Sequence, residues 1–403
     1  MTDGQAGPLD GITVLEMGSL IAGSFCCRLL GDMGARVIKV EPPDVGDPLR
    51  QWGRVMTESG SLWWLVQSRN KESLVADLRT PEGQEIIRRL IPKVDIVVEN
   101  FRPGKLEEWG LGPDDLRRCR EDVILVRISG FGQTGPWRER PGFGSIAEAL
   151  GGLRFLTGEA NGPPMRVGVS IGDAVAALYA ALGACAALRR REKAEVGDVV
   201  DVALTDAVFS LLESVLPEYG SEGVVRTRSG NRLNGAAPSN TYLTKDQQWI
   251  AIGANGDSIF KRLAALMDMP SLLSDPRFGD NQARCAHVDV LDEVIGRWVG
   301  TQDLDELWER LNTAGVPAAP IHDISQIVDN PQFQARGMVQ EIDVPKVGAV
   351  LMPGMVLRFE SGDASIRWAG PELGEHTRDI LLTDAGFSED DLAKIELLTR
   401  PPS

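Results

Sequence analysis

The chain has 403 residues, 42 basic against 58 acidic, for a formal net charge of −16. That balance argues against nucleic-acid binding, since a phosphate backbone calls for a basic surface, but it leaves room for a small polyanion where cations gather locally. No apolar run reaches the roughly 20 residues of a membrane span: the nearest, Ala174 to Leu188, ends in Arg189-Arg190-Arg191, and the polar Met1 to Asp10 has no signal-peptide pattern.

Along the chain, strand and helix signals alternate over the first 130 residues. Ile12 to Met17 is β-branched and apolar, Phe25 to Met33 has helical spacing, and Arg36 to Val40 is strand-like again. Ser73 to Leu78, Asp95 to Val98 and Val123 to Ile128 read as further strands. Pro81 to Val94, opened by Pro81 with Glu82 in its first turn, and Pro113 to Arg120 read as helices. Such alternation predicts an α/β fold with a mainly parallel sheet covered on both faces. Ser129 to Pro164 is rich in Gly and Pro, with one short helix near Ile146 to Leu150. Ala174 to Leu188 then predicts an apolar helix, Val199 to Leu204 a strand, and Ala207 to Leu216 a helix. Glu218 to Ser239 is polar and reads as a crossing into a smaller α+β unit from Tyr242 to Gly315. After Val339 the chain turns β-rich and ends in a polar helix from Ser388.

Four features carry chemistry. Gly130-Phe131-Gly132-Gln133-Thr134-Gly135 has the spacing of a dinucleotide loop, but Pro136 follows where a helix should begin, so the glycines read as a turn. Gly168-Val169-Ser170-Ile171-Gly172 has the spacing of a hydrolase nucleophile elbow, with His287, His322 and His376 all downstream. Asp173 is the one acid between Val167 and Leu188 and heads the apolar helix. It reads either as a capping residue, like Asp206 before the next helix, or as a reactive carboxylate that Gly168 and Gly172 leave open to a ligand. Finally, Arg28, Arg36, Lys39, Arg50, Arg54, Arg69, Lys71, Arg102 and Lys105 punctuate the N-terminal half, either as a solvated face or as phosphate clamps. With three histidines and no Cys-x-x-Cys spacing, no metal site is expected, the protein is expected to be reduced and cytoplasmic, and carboxylates are the favoured reactive groups.

Taken in order, Leu9-Asp10-Gly11-Ile12, Ile38-Lys39-Val40-Glu41, Arg69-Asn70-Lys71, Val98 to Gly104, Gly130 to Pro136, Gly172-Asp173, Arg190 to Lys193 and Leu373 to Thr377 resemble the class III coenzyme A transferases, the formyl-CoA and carnitine-CoA transferase group of CaiB/BaiF type. The resemblance implies a large Rossmann-like domain with its parallel sheet built from both chain ends (1–217 and 335–403), plus a linker and smaller α+β domain (218–334). It also implies an interlocked homodimer. Asp173 falls on the family's nucleophile, and Ile21, Ala22, Lys39, Asn70, Lys71, Asn100, Phe101, Arg102 and Phe143 fall in its CoA-contacting segments. Coenzyme A and acyl-CoA are then substrates, with a small carboxylic acid as acceptor and no tightly bound cofactor. The related racemases have a histidine where Phe143 stands and an acid in the segment Gly253-Ala254-Asn255-Gly256; with neither present, transfer is favoured over racemisation. The loop Asn234-Gly235-Ala236-Ala237-Pro238 has one glycine where some relatives have several. Arg226, Arg228 and Arg232 are candidates to pair with a second substrate carboxylate.

Overall fold

The computed structural model describes residues 7–360, 362 and 364–392. The chain divides into two compact units. The first holds the described parts of Met1–Leu153, Val167–Leu216 and Pro331–Ser403; the second holds Arg154–Arg166 and Pro217–Asn330.

The first unit is built on six strands: β1 (Thr13–Glu16), β2 (Arg36–Glu41), β3 (Lys71–Val75), β4 (Ile96–Glu99), β5 (Ile124–Ser129) and β6 (Val199–Ala203). They lie in the order β3-β2-β1-β4-β5-β6 and all pair in parallel, with Val14 of β1 opposite Val37 on one side and Ile96 on the other. Successive side chains point to opposite faces, and both faces are buried. Val14, Val37, Ile96 and Val126 join the core that holds helix α1 (Ala22–Asp32). Leu15, Ile38, Val97 and Leu125 join the opposite core with Ile86, Ile87 and Leu90 of α2 (Pro81–Leu90). The short α3 (Pro113–Cys119) adds Leu116 to that second face.

The chain leaves β1 toward β2 and β3, then returns to place β4, β5 and β6 on the other side. That reversal opens a crevice at the carboxyl ends of β1 and β4, where open α/β sheets receive ligands.

Helix α5 (Ile171–Ala194) has 24 residues, longer than the Ala174 to Leu188 run, because the charged residues through Lys193 continue it until Glu195 turns left-handed at φ 54°. By length and composition it could cross a membrane. Here, however, its alanine face, including Ala176, Ala180 and Ala184, is buried in the core with α1 and the sheet. Small side chains let the helix axes approach closely. Helix α4 (Gly144–Leu150) precedes α5, and α6 (Leu204–Phe209) follows β6. The helix expected over Ala207 to Leu216 is broken: α6 ends at Phe209 and a separate helix begins at Val215.

In the second unit, β7 (Ser239–Leu243), β8 (Trp249–Gly253) and β9 (Ala318–Pro320) form an antiparallel sheet with β8 in the centre. Helices α7 (Asp257–Leu266), α8 (Val288–Val299) and α9 (Leu304–Thr313) pack around it through Phe260, Leu263, Leu291, Ile295 and Leu307.

One expectation is corrected. The sheet is not built from both chain ends, since all six strands lie between Thr13 and Ala203. Residues after 331 add the antiparallel hairpin β10 (Val339–Val344) and β11 (Gly348–Pro353), and helix α10 (Thr377–Thr383). Ile380 and Leu381 of α10 fill the core under α2, so this end covers a face rather than extending the sheet. Most of the helix expected from Ser388 lies outside the described residues.

Candidate active site at the head of helix α5

Asp173 is the third residue of α5, half-buried in its first turn, with Ser170 at the N-cap position. An acid here meets the positive end of the helix dipole and its unpaired amides. Asp206 occupies the same place in α6, so helix position alone does not distinguish the two. The neighbour does: Gly144, the first residue of α4, lies so close that a Cβ there would run into the Asp173 carboxylate. The helix heads are drawn together by a second glycine. A Cβ on Gly172 would meet the Gly144 carbonyl oxygen at 2.9 Å and Glu148 Cγ at 3.3 Å. Behind them Glu148, 1% exposed, accepts a long hydrogen bond from the Gly172 N–H at 3.4 Å. Phe143, 65% exposed, is the N-cap of α4 and stands directly before Gly144.

The crevice gathers a second group. Ile21 caps α1 and Ala22 begins it, so the helix presents its first amides at the carboxyl end of β1. Asn100, just past β4, clamps this turn: its Oδ1 accepts from Ser19 N–H at 2.8 Å and its Nδ2 donates to Ser19 O at 2.7 Å. A Cβ on Gly18 would occupy the Asn100 side chain's place. Phe101 packs edge-on against Trp109 at 5.0 Å, and Arg102 is exposed with no ion-pair partner among the described residues. Beneath them Glu99 is pushed up to about 7 by burial, against the opposing pull of Arg127, whose Nε donates to it at 2.6 Å.

Lys39, Asn70 and Lys71 behave differently from the expectation that they reach CoA. Lys39 is 1% exposed and Lys71 fully buried. The Lys39 ammonium lies 2.9 Å from Glu16 and 2.8 Å from Asp47; that of Lys71 lies 2.7 Å from the other Glu16 oxygen and donates to Ser24 Oγ at 2.8 Å. Burial would raise the Glu16 carboxyl, but the two ammonium groups outweigh it and hold it below its ordinary value. Asn70 is also buried, donating to Asp32 and to Ser365 O, both at 2.9 Å. These side chains brace the crevice from inside and are not free to clamp phosphates. Arg69, ion-paired with Asp32 at 2.6 Å, and Arg50, with Glu41 at 2.7 Å, are likewise internal.

The elbow reading of Ser170 fails on geometry. No strand leads into it, since residues 163–169 are irregular. In the same unit His376 is engaged elsewhere, its Nδ1 accepting from Ser73 N–H on the edge strand β3 at 3.2 Å. The Gly130 to Gly135 loop makes left-handed turns at Gly132 and Gly135 and enters no helix there. Among the described residues no group of His, Cys, Asp and Glu could hold a metal ion.

The sequence profile of CoA-transferase family III matches residues 9–377. The chain belongs to this family. The transferase is 48% identical over 389 residues to a succinyl-CoA–D-citramalate CoA-transferase of Chloroflexus aurantiacus, spanning 96% of this chain and 97% of the relative. It is 33% identical over 393 residues to the succinyl-CoA:glutarate CoA-transferase of Homo sapiens, spanning 97% and 89%. The crystal structure of a CaiB/BaiF family protein from Brucella suis matches it with a TM-score of 0.83 at 34% identity, over 94% of this chain and 99% of the other. This transferase therefore acts between CoA thioesters and carboxylic acids.

Proposed function

We propose that the enzyme moves CoA from one dicarboxylic acyl group to another through covalent intermediates on Asp173. The observation that carries this reading is the Asp173 carboxylate, set in the first turn of α5 against a glycine that leaves it room. The acceptor class follows from the relatives, a succinyl-CoA–D-citramalate and a succinyl-CoA:glutarate CoA-transferase.

A carboxylate is a weak nucleophile in water and a useful one toward a thioester held beside it. An Asp173 oxygen attacks the donor's thioester carbonyl, the C–S bond breaks, and a mixed anhydride and CoA thiolate result. The thiolate attacks the aspartyl carbonyl of the anhydride, releasing the donor acid and leaving an aspartyl-CoA thioester. The acceptor carboxylate then displaces the thiolate to give a second anhydride. Thiolate attack on the acceptor's acyl carbon forms the new acyl-CoA and restores Asp173. At each stage the N-terminal amides of α5 face the developing negative charge.

CoA is assigned to the crevice, with the Ile21 and Ala22 amides, Asn100, Phe101 and the free cation of Arg102 as direct contacts and Phe143 near the reacting end. Lys39, Asn70 and Lys71 hold its walls. The working unit is a homodimer in the cytoplasm.

Asp173→Ala should abolish CoA exchange while CoA binding and thermal unfolding stay close to wild type. Hydroxylamine added during turnover should modify Asp173, as read by peptide mass spectrometry. Turnover persisting in Asp173→Ala would overturn the assignment.

A further inference from the structure

The turn after β4 is held from beneath by charges that the proposed chemistry does not use. Along the β4–β5 register Val97 stands opposite Leu125, and both lie in the apolar core with α2. Two residues on, at the carboxyl edge of the same face, the pair is Glu99 opposite Arg127. Both are buried, Glu99 at 1% and Arg127 at 5% exposed. The Arg127 Nε donates to Glu99 Oε1 at 2.6 Å, while its Nη1 and Nη2 donate to the two Glu107 oxygens at 2.7 and 3.2 Å. The other Glu99 oxygen accepts from the Phe101 N–H at 2.7 Å. Glu107 belongs to the short helix Lys105–Glu108, whose first N–H donates to the Arg102 carbonyl at 3.1 Å. One guanidinium therefore holds the turn at both ends, through Glu99 before it and Glu107 after it.

A buried ion pair is no better for stability than two well-packed apolar side chains of similar volume. Val97 and Leu125 show that this face accepts such a pair. What the ionic pair adds is geometry, since a forked guanidinium fixes two carboxylates in directions that no apolar contact specifies. Burial pushes the Glu99 carboxyl up to about 7, against the pull of Arg127. Without that pull Glu99 holds a proton near neutrality, and a neutral carboxyl is the weaker acceptor for the Phe101 N–H. The turn would then be left to the Asn100 clamp on Ser19 and the ring contact of Phe101 with Trp109.

We infer that Arg127, buried beneath the crevice, is a positioning residue for CoA, fixing through Glu99 and Glu107 the turn that carries Asn100, Phe101 and Arg102. The inference rests on the assignment of CoA to this crevice.

The test is calorimetric titration of the full-length enzyme with CoA. Arg127→Met should weaken binding at least about tenfold, the loss of roughly one charge-assisted hydrogen bond, and Arg127→Lys should recover part of it. Glu107, 44% exposed, offers a milder cut: Glu107→Gln removes one arm of the fork and leaves the buried pair balanced. It should weaken CoA about threefold, which keeps the test independent of how well Arg127→Met folds. In exchange assays KM for the CoA thioester should rise in step, with kcat and KM for the acceptor acid within about twofold of wild type. General loosening of the fold would move all three. Arg102→Ala should itself weaken CoA, and on that background Arg127→Met should cost at least about threefold less, since both act through one turn. CoA binding equal in wild type, Arg127→Met and Glu107→Gln would overturn the inference, as would an Arg127→Met loss of the same size on both backgrounds. If Arg102→Ala weakens CoA while the Arg127 and Glu107 variants do not, the crevice assignment stands and the inference falls. If Arg102→Ala binds CoA as wild type does, the crevice assignment falls and the inference falls with it.

Discussion

Gly144 is the residue on which the reading of Asp173 can be pressed hardest. A methyl group at position 144 would meet the free end of a side chain rather than backbone, so the Asp173 carboxylate can rotate away at little cost to folding. Gly144→Ala is therefore expected to unfold within a few degrees of wild type and to lower kcat at least tenfold, about 1.4 kcal/mol of lost transition-state stabilisation. Equal kcat in stopped-flow or steady-state exchange would show that the carboxylate is not held by this contact. The contrast between Asp173 and Gly144 also marks how far single residues can be read. A lone acid heading an apolar run beside glycines is a local pattern and visible in the chain. The neighbour that shapes it comes from another helix and is not. Lys39 and Lys71 make the same point from the other side. As isolated cations in an acidic protein they suggest phosphate clamps, whereas Glu16, their actual partner, is set opposite Lys39 only by the β1–β2 register.

At the level of elements, one buried charge cluster ties three strands together. Glu16 on β1 pairs with the ammonium of Lys39 on β2 and with that of Lys71 on β3, all three side chains being buried. Removing one member of such a cluster leaves the others buried and unbalanced. Glu16→Gln is expected to cost about 3–5 kcal/mol in urea unfolding near neutral pH. The pH dependence follows from the lowered Glu16 carboxyl. A folded-state value below the unfolded one adds stability above the unfolded pKa, and that stability is lost as pH falls through the folded value. The gap between wild type and Glu16→Gln should then be full near neutrality and narrow below about pH 4. A gap under 1 kcal/mol, or one that widens in acid, would rule out this account. The alternating strands and helices around the cluster were legible because their signals are local: β-branched runs, Pro81 opening α2, the alanines of α5. The break between α6 and the helix at Val215, and the start of β3 at Lys71 rather than Ser73, depend on partners distant in sequence.

Across the whole molecule, the acidic excess and the anionic substrate are reconciled by where cations are spent. Most N-terminal candidates are consumed internally, and Arg102 stands exposed at the crevice. The contribution of the chain's end could be read as belonging to the first unit but not as a covering helix, because a short amphipathic segment carries no mark of which surface it will meet. The first unit also exposes apolar side chains on the outer face of α5 and at the end of α6. Leu178 and Leu182, one turn apart on α5, are both more than half exposed, and Phe209 of α6 is nearly so. The Tyr179 hydroxyl lies 3.0 Å from Ser210 Oγ, bringing the two helices' outer faces side by side. Contiguous apolar surface of this kind marks an interface, and the proposed homodimer supplies an occupant. Light scattering of wild type should give twice the chain mass. Leu182→Asp, 66% exposed and so harmless to the core, should shift it to the monomer without lowering the unfolding temperature by more than a few degrees. A wild-type monomer, or a Leu182→Asp variant that remains dimeric at micromolar concentration, would remove this face from the interface.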